Sequence, residues 1–166
     1  MNDLTIQWEN ISKELKKCII KGRKKGMMNA VRKIRNKTKS ILKNVLPNST
    51  KPNTKYNDKL TDGVRISKYR ELPNNESVAS VHIMGTRSKG SGTFRLRFFE
   101  NDTAERHTKD YKRKSKNGLM YHVKGHSTGK IKGKNFFGGA VNSELKNAPS
   151  IIEKELIKAI EKCNDK

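Results

Sequence analysis

The sequence predicts an α+β fold, in which a long amphipathic N-terminal helix precedes an antiparallel sheet of four to five strands and a C-terminal helix packs on that sheet. Three observations predict it. Apolar and small residues recur every three or four positions over the first 46 residues. They alternate with polar residues in several short segments of the middle, and the helical spacing returns near the end.

The N-terminal helix carries a stripe of apolar and small residues at spacings of three and four. Its members are Trp8, Ile11, Leu15, Cys18, Ile19, Gly22, Gly26, Ala30, Ile34, Thr38, Ile41 and Val45. We expect the helix to end before Pro47, because the residue preceding a proline disfavours helical geometry. Gly22 and Gly26 each cost up to about 1 kcal/mol relative to alanine. They indicate either a kink, the favoured interpretation, or a close approach of another backbone.

The predicted sheet begins with three segments that alternate or adjoin turns. Apolar and polar residues alternate at 64–67 and, after a turn at 73–75, again at 79–83. A glycine-rich loop at 85–92 then leads into a strand at 93–100. In that last strand one face would carry Phe94, Leu96 and Phe98 into the core, and the other would carry Arg95, Arg97 and Phe99. Short connections between consecutive strands predict an antiparallel meander.

The second half of the sheet region is mostly polar. Residues 101–118 contain no apolar periodicity, so they are expected to form an exposed basic loop. Alternation returns at 119–123 before a turn at 125–129, which predicts a second hairpin. Phe136 and Phe137 are expected to anchor the end of the sheet.

The chain is expected to form a single domain over residues 1–166. Its parts are a helical region at 1–46, a linker loop at 47–59, the sheet at 60–140 with the basic loop inside it, and a C-terminal helix at 141–166. Ser150 and Glu153 have the spacing of a capping box at the start of that helix. Leu, Ile, Val and Phe make up about a fifth of the chain, which predicts a small core.

The net charge of +22 predicts a polyanionic or acidic partner. Such a surface is often merely solvated, but its density here makes contact with phosphate or with an acidic neighbour equally tenable. The candidate contact residues are Arg23, Lys24, Lys25, Arg32, Arg35, Lys112, Arg113 and Lys114. No segment has the apolar length of a membrane span, so a soluble chain made in a cytoplasm is expected.

The cysteines and histidines are the candidates for a catalytic or metal site. Cys18 and Cys163 are expected to be small buried residues, with a disulfide between them disfavoured. His122 and His126 lie four apart but in a strand-like segment with no third ligand, so no metal is expected. His107 near Glu100 would suit a basic RNase, yet it lies on a polar loop. Neither a cofactor nor enzymatic activity is expected.

The order of short motifs along nearly the whole chain resembles the minor tail components of tailed phages, the head-tail joining or tail-completion proteins. An amphipathic helix leads through Pro47 to a Leu-containing segment at 60–64 and then to a strand ending in glycine at 81–85. An aromatic-aromatic-Glu motif follows at 98–100, with Thr103 and a basic Arg106, although Asp102 stands where glycine is usual. A Gly-containing strand at 129–131, a Phe-rich anchor at 136–140 and a helix at 151–162 close the series.

The resemblance implies a non-enzymatic virion protein that forms a homo-oligomeric ring at the neck or tail top and is present in the host cytoplasm during assembly. Its implied partners are neighbouring portal, adaptor, stopper or tail proteins and the packaged DNA, without a membrane. In a head-to-tail ring, Phe99 and Glu100 with Arg106 would form one subunit interface. Phe98 and Phe99 could instead stack on bases, although one face of their strand would more often supply the core.

Two other functions remain open at the level of sequence. One is a basic module that binds DNA or RNA without catalysis, and the other is a small basic RNase that depends on His107. Salt-dependent binding of free nucleic acid would favour the first. Loss of RNA cleavage in His107→Ala would favour the second.

Overall fold

A computed structural model describes residues 3–54, 57–73, 76–83 and 92–164, with side chains from residue 13 onward. It is a mixed helix and sheet structure with a long N-terminal and a C-terminal helix. The helices are α1 (Asp3–Val45), α2 (Leu96–Glu100), α3 (Phe136–Glu144) and α4 (Ala148–Asn164). The strands are β1 (Arg65–Ile66), β2 (Arg70–Glu71), β3 (Ser77–Val78), β4 (Val81–His82), β5 (Arg106–His107), β6 (Tyr111–Lys114), β7 (Met120–Val123) and β8 (Ser127–Gly129). Short 3-10 helices span Pro47–Thr50, Leu60–Gly63, Thr93–Arg95 and Leu145–Asn147.

The strands form two interrupted hairpins, and the predicted four- to five-stranded sheet is therefore wrong. In the first hairpin β1 pairs with β4 and β2 with β3, all antiparallel. In the second, β5 pairs with β8 and β6 with β7. Among the described residues each ladder contains only two strands. The physical reason is that the segment expected to join the hairpins, 93–100, is helical and cannot extend a ladder.

Helix α4 packs against α1, where the sequence predicted that it would cover the sheet. A Cβ added to Gly26 would lie 2.7 Å from Ile152 Cα, and one added to Gly22 would lie 2.8 Å from Ala159 Cβ. Helix α1 is continuous through both glycines. The favoured kink is therefore wrong, and the alternative of close backbone approach is confirmed, because these glycines let the two helix backbones approach.

The core is as small as the composition predicts. The buried cluster contains Leu42, Val64, Leu96 and Phe136, which come from α1, the start of the first hairpin, α2 and α3. Partly buried residues that pack against it include Leu60, Val81, Ile83, Phe99 and Phe137. The core therefore sits at the C-terminal end of α1, and the rest of that helix is covered mainly by α4.

Cys18 and Cys163 form a disulfide, with their Cα atoms 6.4 Å apart. The prediction of two unpaired cysteines is thus contradicted. The residues are 145 positions apart, and only the antiparallel packing of α4 on α1 brings them together. The disulfide joins the N-terminal half of α1 to the end of α4.

The C-terminal region contains two helices where one was predicted at 141–166. Phe136 and Phe137 open α3 and do not end a strand. Helix α4 begins at Ala148, and Ser150 lies inside it, where its hydroxyl donates to the Asn147 carbonyl at 3.0 Å. The predicted capping box is therefore wrong, because a capping side chain must precede the first helical turn.

Candidate nucleic-acid interface

The segment expected to be the central strand folds as a 3-10 turn followed by α2. A helix brings residues four apart together, so Phe94 and Phe98 form an edge-to-face pair with ring centroids 6.3 Å apart. Both rings are half-buried. Leu96 is fully buried, as predicted. Phe94 and Phe98, predicted to be core, are only half-buried, and Phe99, predicted to face outward, packs against the core cluster.

The Glu100 side chain caps α3. Its Oε2 accepts a hydrogen bond from the Phe137 N–H and its Oε1 accepts one from the Gly138 N–H, both at 2.8 Å. The Glu100 carbonyl also accepts from the Asn135 N–H at 3.1 Å. A carboxylate is favoured there because a helix N-terminus has free N–H groups and a positive dipole end. Glu100 thus has a structural role within each copy of the chain.

The three residues expected at a subunit interface lie on different elements. Phe99 is half-buried in α2, Glu100 ends that helix, and Arg106 is exposed on β5 opposite Gly129. Of these, Arg106 is the one fully available to a partner. The turn between them includes Asp102, whose Oδ1 accepts from the Gly133 N–H at 2.7 Å. Among described non-glycine residues, positive φ occurs at Asn57 and Asn135, so this Asp does not need the left-handed conformation of a glycine.

A first basic surface is formed by the second hairpin with its flanks, residues 103–132, which we call the basic arm. It holds nine Lys and Arg residues against two acids. At its base, the Thr103 N–H donates to the Ile131 carbonyl at 3.0 Å, and the Ile131 N–H donates to Thr103 Oγ1 at 2.9 Å. At its tip, the Ser115 N–H donates to the Leu119 carbonyl at 2.8 Å, and Gly118 has a φ of 83°.

The expectation of an exposed basic segment at 101–118 is confirmed, but the expectation of a loop is wrong. Residues 111–114 form β6, which pairs with β7. The turn lies at 115–119 and not at 125–129, where β8 follows instead. The signal available in the sequence was Asn117-Gly118, a pair that favours hairpin turns. The segments on both sides of this pair have no apolar face, so the strands could not be predicted from alternation.

The two faces of the arm differ chemically. Register pairs Tyr111 with Val123 and Arg113 with Tyr121, so one face presents two tyrosines and an arginine. Tyr111 is 50% and Tyr121 43% exposed. The opposite face presents Lys112, Lys114, Met120 and His122. On that face His122 Nε2 lies 3.5 Å from Asp110 Oδ2. No sequence motif marks these two tyrosines as functional residues.

A second basic surface lies on α1. Lys21, Lys25, Arg32, Lys39 and Lys43 are spaced by four and seven residues, which keeps them on one side of a helix. Several candidate cations there have partners within the chain. Arg32 donates to Asn29 Oδ1 at 3.0 Å, and the guanidinium of Arg35 donates to Asn36 Oδ1. Arg23 is half-buried, and the ammonium of Lys24 lies 6.0 Å from the Tyr69 ring centroid.

Lys25 is engaged at the contact between α1 and α4. Its ammonium lies 2.8 Å from Glu155 Oε2, and the Asn29 amide donates to Glu155 Oε1 at 3.3 Å. The bond from Lys25 lowers the pKa of the Glu155 carboxyl below its ordinary value, more than partial burial raises it. Lys25 thus joins two helices, and its charge is already matched.

The ion pairs between described side chains otherwise join Arg95 to Asp58 and His122 to Asp110. Lys112, Arg113 and Lys114 make no ion pair within the described part of the chain. The arm therefore carries a positive charge that internal acids do not balance, and a polyanion is the partner that would balance it.

The histidines of the arm lie beside polar groups of the hairpin. His126 Nδ1 lies 3.2 Å from Thr108 Oγ1, and His107 is exposed opposite Ser127. In the described ranges, no three His, Cys, Asp or Glu side chains come together as metal ligands would. His122 and His126 contact polar neighbours on the hairpin, and these contacts give the two residues a structural role.

None of the described helices combines the length and the apolar composition that crossing a membrane requires.

Comparison of the chain with protein-family models, with curated proteins and with solved structures gives no match.

Proposed function

We propose that this chain is a structural subunit of a tailed-bacteriophage virion, a head-tail connector or tail-completion protein that forms a ring at the neck around the DNA path. The observation that carries the proposal is the bond between Glu100 and α3. The aromatic-aromatic-Glu motif and the Phe-rich anchor, two separate parts of the phage resemblance, meet through the Glu100 cap. That cap begins the helix that places Phe136 in the core.

The charge distribution supports the same proposal. A chain of net charge +22 whose arm is not neutralised by its own acids needs a polyanion or acidic neighbours in its working state. DNA in the channel of a connector supplies one, and adjoining portal, adaptor, stopper or tail proteins supply the other. In this arrangement Arg106, exposed on β5 at the root of the arm, contacts an acidic protein of a neighbouring ring.

Electron microscopy of purified protein and of particles that contain it tests the proposal. We expect rings, either free in solution or at the portal-proximal end of the tail. A protein found at another position in the particle, or absent from it, would contradict the proposal. Arg106→Glu, a change on an exposed strand, is expected to reduce incorporation, with Lys130→Glu as a control of equal charge change nearby.

A second candidate function, a DNA- or RNA-binding module without catalytic activity, is favoured by the exposed basic arm. It would bind free nucleic acid tightly as a monomer and would lose affinity steeply with salt. Analytical ultracentrifugation with and without nucleic acid separates the two candidates. Discrete rings favour the connector, whereas a monomer that binds one nucleic acid fragment and never enters particles favours the module.

A further inference from the structure

We propose that the basic arm is the element that binds DNA, and that it does so as a two-stranded ribbon in the major groove of the duplex. The inference deepens the proposed function, since it rests on DNA being the partner of the connector. It assigns contact to Lys112, Arg113 and Lys114 together with Tyr111 and Tyr121, and it leaves α1 as the helix that supports the fold.

The charge of the arm selects its partner. Nine cations face two acids over residues 103–132, and the whole chain is itself strongly positive. A second copy of this chain would therefore repel the arm, whereas a duplex carries one negative charge for about every 1.7 Å of its axis. Charge complementarity therefore favours nucleic acid over self-association.

The shape of the arm favours DNA over RNA. The major groove of B-DNA, about 12 Å wide, admits a two-stranded ribbon, while the deep and narrow major groove of A-form RNA does not admit side chains in this way. Strand β6, with four residues, extends about 13 Å at the rise of a strand, which is close to the width of that groove.

The faces of the ribbon supply two kinds of contact. Arg113, opposite Tyr121, has the five-donor fork that matches guanine edges, and the half-exposed tyrosine rings offer flat apolar surface beside it. Lys112 and Lys114 project from the other face on long flexible stems that can reach flanking phosphates. The Asp110–His122 pair lies on the same face beside Lys112, which is opposite His122, and Lys114 lies nearer the tip.

The three cations of the arm are also more available to DNA than Lys25, Arg32 and Arg35 on α1. On α1, Lys25 is paired with Glu155, and the guanidinium groups of Arg32 and Arg35 bond to asparagine side chains. Recruiting those groups to phosphate would first break these bonds. The three arm cations are exposed and make no ion pair among the described residues, so binding costs them no internal partner.

Fluorescence anisotropy of the full chain with a labelled 24-base-pair DNA duplex tests the assignment. The variant K112A/R113A/K114A is compared with R32A/R35A/K39A, which removes the same charge from α1. Losing the two phosphate contacts of Lys112 and Lys114 makes the slope of log K against log salt shallower by about 1.8. We expect this change and roughly a 10- to 100-fold loss of affinity in the arm variant, and about threefold or less in the control.

Three outcomes overturn the inference: unchanged binding in the arm variant, equal losses in both variants, or equal affinity for an RNA duplex of the same sequence. Circular dichroism of both variants checks that they are folded. An arm variant that binds DNA normally but changes oligomeric state would assign the arm to a subunit interface, which also overturns it.

The same variants separate this inference from the proposed function. Rings or virion incorporation without arm-dependent DNA binding would overturn the inference alone. Arm-dependent DNA binding by a chain that never forms rings or enters particles would overturn the proposed function while the arm remains the DNA-binding element.

Discussion

The Glu100 carboxylate bonds to the backbone N–H groups of Phe137 and Gly138, both at 2.8 Å, and so joins α2 to α3 across 37 residues of sequence. The basic arm is the chain between these two helices. This carboxylate, together with the hydrogen bonds between Thr103 and Ile131 and between Asp102 and Gly133, holds the two ends of the arm together at its root. Stability of this root and DNA binding by the arm can be tested separately.

Glu100→Gln should destabilise the fold by about 1–2 kcal/mol, because a neutral amide supplies one acceptor oxygen where the carboxylate supplies two and removes the charge at the helix N-terminus. Urea unfolding followed by circular dichroism measures the loss. Glu161→Ala, on the exposed side of α4, is the control and should change stability by less than about 0.5 kcal/mol. Equal stabilities of the Glu100 variant and wild type would contradict a capping role.

Gly26→Ala should destabilise the packing of α4 on α1 by about 1–3 kcal/mol, even though alanine favours helix by about 1 kcal/mol. The added Cβ would lie 2.7 Å from Ile152 Cα, which is backbone and cannot rotate away. Gly139→Ala is the matched control, since a Cβ in the interior of α3 meets nothing within 4 Å. The unfolding temperatures of the two variants should shift in opposite directions from that of wild type. A stabilising effect of Gly26→Ala would refute the close contact.

The contact between Lys25 and Glu155 predicts a pH dependence of stability. Because the pKa of Glu155 is lowered in the folded state, its stabilising effect is present above the ordinary value of 4.5 and is lost as the pH falls through the lowered pKa. The difference in unfolding free energy between wild type and Glu155→Gln should therefore be larger at pH 7 than at pH 3. A constant difference would contradict the assigned pKa direction.

The disulfide between Cys18 and Cys163 predicts a redox-dependent stability. Closing so long a loop stabilises a fold by about 2–5 kcal/mol. Oxidised protein should unfold at a higher temperature than the same protein in dithiothreitol, and C18S/C163S should be insensitive to the reductant. Mass spectrometry after alkylation counts the free thiols in each sample. An oxidised sample with two alkylated cysteines would disprove the pairing.

Features that depend on local pattern or on composition follow from the amino-acid sequence alone. The three- and four-residue spacing on α1 required a long helix, because its apolar side could be buried in no other regular conformation. The low apolar content required a small core, and the uniformly polar composition of 101–118 kept that segment exposed. Gly22 and Gly26 marked a special site in α1, although their spacing alone allowed a kink as well as a contact.

Features that depend on partners distant in the chain become visible only in the folded structure. Phe94, Leu96 and Phe98 alternate as in a strand, yet Phe94 with Phe98 also fits a helix turn. Packing of Leu96 and Phe99 in the core cluster selected the helix. The disulfide and the Glu100 cap join residues 145 and 37 positions apart, and no local signal reports such pairs. The free energy that fixes them comes from burial and hydrogen bonds formed only when the whole chain has folded.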